Sequence, residues 1–148
     1  MLAPLEEILK YKHPAVVRRF KKDHPAKADQ AQELFDDLLR FFWASKKHSI
    51  DKKTQASKTL DFVFIMDEEM RDIDQMWHVF LLYTQDYTDF CLRYFDEFLH
   101  HLPDIVPTFE TEKLQFEPNL EKFLDYTYDL LGENLVRRWF AVSSQTQN

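Results

Sequence analysis

Glycine is almost absent: Gly132 is the only one in 148 residues. Phosphate-cradling loops of the Walker A or GxGxxG type need more than one, so they are excluded. All-β folds use glycine at their turns, so this composition argues against them too. Cysteine is equally scarce. Cys91 stands alone, which excludes an internal disulfide and fits a reducing compartment. Long apolar runs are missing as well. The longest are Phe62–Met66 and Val79–Tyr83, far short of the ~20 residues that span a bilayer. Glu6 and Glu7 interrupt the only apolar start, so no secretory signal pattern forms. The expectation is a soluble, cytoplasmic chain with no membrane-spanning segment.

Aromatics are abundant, with 14 Phe, 6 Tyr and 3 Trp. Hydrophobic residues make up 45% and charged residues 30%, a balance that excludes intrinsic disorder. Charge is unevenly placed. Residues 1–60 hold 13 basic and 8 acidic side chains, whereas residues 61–148 hold 6 and 18. Between Lys10 and Lys27 lies a basic stripe whose candidate anion contacts are Arg18, Arg19, Lys21 and Lys22. Such a stripe can meet phosphate or anionic lipid. A solvated helix face that balances the acidic half is the simpler reading. The overall charge of −7 weakens association with nucleic acid, which is not expected as a partner.

Periodicity predicts an all-α fold: a compact single-domain bundle of about six to seven helices, several opened by proline, over 1–142. Residues 143–148 read as a polar disordered tail. Pro4, Pro14 and Pro25 each open a helix. In the third, Ala31, Leu34, Phe35, Leu38, Leu39 and Phe42 recur at spacings of three and four, out to about Lys47. Ser49–Lys58 reads as a loop, and Phe62–Ile65 as one extended segment without a partner strand. Asp67 is placed to cap a helix carrying Ile73, Met76, Trp77, Phe80 and Leu81. The next helix carries Tyr87, Phe90, Cys91, Tyr94, Phe95 and Phe98 and ends at His100-His101-Leu102-Pro103. Asp104–Glu117 reads as a packed loop. Pro118 opens a further helix ended by Gly132, and a last helix runs from Glu133 to about Val142.

Chemistry concentrates between Asp67 and Pro103. Asp74 and His78 are four apart and share a helix face. A carboxylate there can accept from the imidazole and fix its tautomer, leaving the other nitrogen for a metal or a proton. If the two helices fold back on each other, one of His100 and His101 can join them. Two histidines and a carboxylate suit zinc or non-haem iron. The plain alternative is a helix-stabilising Asp–His pair and a histidine that favours a helix C-terminus. Cys91 with His78 is the nucleophile–base alternative, but Cys91 lies on an apolar stripe where a buried thiol is the commoner outcome. His13, His24 and His48 sit among lysines and read as surface residues.

The order Asp74, Trp77-His78, Asp86-Tyr87, Phe90-Cys91, Tyr94-Phe95, Phe98, His100-His101 and Pro103 resembles the core of the glycine-rich domain-containing protein-like family. Family members often carry glycine where this chain has Asp96, and the glycine-rich extension that names the plant members is absent here. The resemblance implies a compact helical domain with Trp77, His78, His100 and His101 as its signature, and it supplies no reaction. The sequence therefore favours a non-enzymatic module that binds another protein. The alternatives are a divalent-metal site at Asp74, His78 and His100 or His101, and an anion-binding stripe. No catalytic residue is named, and zinc or iron is the only cofactor considered.

Overall fold

The computed structural model describes residues 2–55, 57–64, 66–101 and 110–140, with the side chains of 110–117 left aside. The expected all-α fold is found: seven α-helices and no strand among the described residues. These are α1 (Leu5–Ile8), α2 (Pro14–Asp23), α3 (Ala31–Thr54), α4 (Arg71–Leu81), α5 (Thr84–Phe95), α6 (Glu110–Leu131) and α7 (Glu133–Trp139). Residues 1–46 and 71–100 form one compact unit; residues 47–70 and 101–148 form a second. No helix among the described residues is long and apolar enough to cross a membrane.

The first unit is organised by rings. Phe35 and Phe42 of α3, Phe80 of α4, and Tyr87 and Phe90 of α5 are almost fully buried. Phe35 and Phe42 are seven apart and Tyr87 and Phe90 three apart, so each pair shares one helix face. Phe80 meets Tyr87 edge-on, with centroids 5.0 Å apart at 88°. Tyr11 closes the cluster against Phe90 at 4.7 Å. Burial pushes its hydroxyl pKa up to about 12, with Asp86 adding to the shift. Each ring withdrawn from water contributes about 1.5–3 kcal/mol, so the cluster dominates this unit's stability.

Helix ends follow from named side chains. His13 Nδ1 accepts from the Val16 N–H at 3.1 Å and caps α2, with Pro14 in its first turn. Its other nitrogen, Nε2, donates to Asp86 Oδ2 of α5 at 2.7 Å. His13 is therefore a partly buried staple, not the expected surface residue. Asp67 Oδ2 accepts from the Glu69 N–H at 3.1 Å ahead of α4. The helix carrying Cys91 stops at Phe95, earlier than expected, because Asp96 adopts a left-handed conformation (φ 58°). Aspartate tolerates that region better than most residues.

In the second unit, α3 runs on through Thr54, where a loop was expected. Two interactions explain this. Lys52 and Lys53 lie in its last turn, where positive charge favours the helix dipole. Asp51 accepts from the Tyr126 hydroxyl at 3.1 Å and pairs with Lys47 at 3.3 Å. His48 is 4% exposed, which corrects its surface reading. Its Nε2 donates to the Leu60 carbonyl at 3.0 Å and its ring lies 4.0 Å from that of Phe62.

The extended stretch near Val63 has no strand partner because a side chain fills that role. Asn119 Oδ1 accepts from the Val63 N–H at 2.7 Å, and Asn119 Nδ2 donates to the Val63 carbonyl at 3.0 Å. Helix α6 begins at Glu110, so Pro118 lies inside it and does not open it. Gly132 separates α6 from α7 at φ 96°, a backbone conformation that side chains strain to adopt. The expected loop 104–117 is corrected over 110–117, which are the first turns of α6; residues 104–109, the end of the last helix beyond Phe140, the 143–148 tail and Pro103 lie outside the described residues.

Candidate functional site

The rare residue types between Asp74 and His100 fall into three places in the first unit. The first is a buried hydrogen-bond chain. The Trp77 indole N–H donates to the Tyr87 hydroxyl at 3.0 Å, and that hydroxyl donates to the Leu99 carbonyl at 2.5 Å. Trp77 and Tyr87 are ten residues apart on α4 and α5, so the bond fixes how these helices pack. The second bond holds the segment that leaves α5. Burial raises the Tyr87 hydroxyl pKa far above its usual range. Cys91 of α5 is fully buried, and burial pushes its thiol pKa up. A buried, protonated thiol is a poor nucleophile, so the Cys91–His78 alternative loses its chemical basis. Phe90 and Phe95 complete the packing around this chain.

The second place is the edge of α4. Asp74 Oδ2 and His78 Nε2 lie 3.9 Å apart, with side chains 20% and 57% exposed. The i,i+4 spacing thus delivers the expected shared face, at the edge of the buried stripe made by Ile73, Met76, Trp77 and Phe80. His100 stands elsewhere in this unit, its ring 4.8 Å from that of Phe98. His101 opens the second unit. Asp86 serves as the partner of His13.

The third place is a cavity of about 270 Å³. Four aromatic residues line it: Phe41 and Phe42 of α3, Trp77 of α4, and Phe98 beyond α5. Phe42 and Trp77 meet edge-on at 5.0 Å, and Phe41 lies 5.8 Å from Trp77. Glu97 and His100 add polar groups to the lining. Lys46, outside the lining, pairs with Glu97 at 2.8 Å. Phe98 is 39% exposed, so the cavity reaches the surface. Helix periodicity shows Phe42 only as a core residue. Four lining residues, Glu97 to His100, follow the early end of α5 at the left-handed Asp96, which carried no periodic signal.

The basic stripe is answered in part within the protein. Lys12 pairs with Asp36, Arg19 with Asp23 and Lys27 with Asp72, at 2.9–3.2 Å. Arg18, Lys21 and Lys22 lie exposed on α2, where Lys21 and Lys22 occupy a last turn that favours positive charge.

A family model described as UCP032817-like matches residues 5–116. The chain belongs to the UCP032817-like family. This corrects the resemblance to the glycine-rich domain-containing protein-like family, which rested on about thirty positions, whereas the family match spans residues 5–116. The UCP032817-like family is uncharacterised, so membership names no reaction. No curated protein and no solved structure matches the chain.

Proposed function

We propose that this UCP032817-like chain is a helical binding module and that its partner, another protein, inserts a side chain into the cavity beside Trp77. The observation that carries this reading is the aromatic lining of about 270 Å³ that reaches the surface through Phe98. Concave, mostly apolar sites with a few placed polar groups are the usual binding geometry. The hydrogen bonds from Trp77 through Tyr87 to Leu99 support it, because they hold two segments of the lining in place. A photo-crosslinking amino acid at position 98, expressed in the native host, tests the proposal. The expected result is a discrete adduct that is absent when the crosslinker is at exposed Arg137 and lost when Ser45→Phe fills the cavity. Equal adducts from positions 98 and 137, or an adduct indifferent to Ser45→Phe, would overturn it.

The Asp74–His78 pair favours a second reading, in which α4 holds a divalent cation such as zinc or iron. Two donors on one helical face, with the imidazole exposed, supply the start of a chelate. An imidazole nitrogen and a carboxylate oxygen suit these metals. Elemental analysis of untagged protein tests this. Near-stoichiometric metal, lost in His78→Ala, supports the reading; metal-free protein that also rejects added zinc and iron removes it.

A further inference from the structure

Four of the residues lining the cavity are aromatic, and only one lining side chain carries a permanent charge, the Glu97 carboxylate. Aromatic faces attract cations, most strongly alkylated ammonium groups that have little hydration to lose. Two further features set the same sign. The lining segment Glu97–Leu99 follows directly on the C-terminus of α5, the negative end of a helix dipole. Residues 71–100, which include this segment and belong to the same unit, hold six acidic against two basic side chains, a local field that draws cations.

Resting on the binding reading above, we propose that the occupant is the trimethylammonium head of a methylated lysine on the partner protein. The pairing of Lys46 with Glu97 explains the preference for methylation. That bond already engages the carboxylate as a hydrogen-bond acceptor from outside the lining. An unmethylated lysine would enter with N–H donors left unsatisfied, which is costly in an apolar site. A quaternary ammonium donates no hydrogen bond and needs only the aromatic walls and the nearby negative charge. The cavity opens to the surface at Phe98 and His100, so the head can enter while the rest of the partner chain stays outside.

Titration of the full-length protein, followed through the Trp77 indole N–H by NMR, tests the proposal. The probes are a short peptide carrying trimethyllysine, the same peptide with unmodified lysine, its neutral tert-butyl analogue, and free choline. The trimethyllysine peptide should shift the Trp77 signal. The neutral analogue should bind about tenfold more weakly, the scale of a desolvated cation–π contact. Glu97→Gln should weaken binding, and Lys46→Gln, which leaves the carboxylate unopposed, should tighten it. Equal binding of the neutral analogue or the unmodified peptide would overturn the cationic occupant while leaving the cavity a binding site. Choline binding as tightly as the peptide would overturn the protein partner. No shift with any probe, in a protein that still crosslinks from position 98, would overturn the methyl-lysine proposal alone.

Discussion

The Trp77 indole nitrogen and the Tyr87 hydroxyl oxygen lie 3.0 Å apart, and the hydroxyl in turn donates a hydrogen bond to the Leu99 carbonyl. One phenol oxygen therefore joins α4, α5 and the segment beyond α5. Tyr87→Phe keeps the ring and removes that oxygen, so a buried indole N–H and a carbonyl both lose their partner. Leaving such groups unsatisfied costs about 1–3 kcal/mol each at most sites. Urea denaturation should show a loss of about 2 kcal/mol or more, while Tyr87→Phe remains helical by circular dichroism.

His13 joins two elements with one ring. Its Nδ1 caps α2 and its Nε2 reaches Asp86 on α5. His13→Ala should lose about 1–2 kcal/mol, the usual worth of an N-cap with its partner bond. His13→Asn restores a capping acceptor and should recover part of the loss. Chemical denaturation of the three proteins checks the order.

The stability of the second unit should depend on pH through His48. Burial lowers its pKa below the ordinary 6.5, and the hydrogen bond to Leu60 offsets this only in part. Below pH 6.5 the unfolded chain takes up the proton while the folded chain resists it. Stability is therefore fully present above that pH and is lost as pH falls towards the folded value. His48→Gln can still donate to Leu60 but does not titrate. Its denaturation midpoint should change less between pH 7 and pH 5 than that of the wild type.

The Cys91 thiol is buried and its pKa is raised. A thiol-reactive disulfide reagent at pH 8 should leave the native protein unmodified and label it at once in denaturant. Rapid labelling of the native state would contradict the burial and protonation described above.

Much of the fold was legible in the sequence because helices announce themselves by spacing. The stripe Ala31, Leu34, Phe35, Leu38, Leu39 and Phe42 lies buried, as its period requires. The ends were harder to read. Thr54 ends α3 later than its polar composition suggested, since Asp51 and His48 gain tertiary partners that composition cannot show. Asp96 ends α5 early through a left-handed residue that is not glycine. The Asp74–His78 face followed from spacing alone. The cavity did not, because it draws residues from α3, α4 and the segment after α5, which only packing unites.

The proposed binding depends on a lining that the hydrogen bonds through Tyr87 hold in place. Crosslinking from position 98 in the Tyr87→Phe background, under conditions where that variant remains folded, separates this from mere stability. The adduct expected of the wild type should be lost or strongly reduced. An undiminished adduct in folded Tyr87→Phe protein would contradict that dependence.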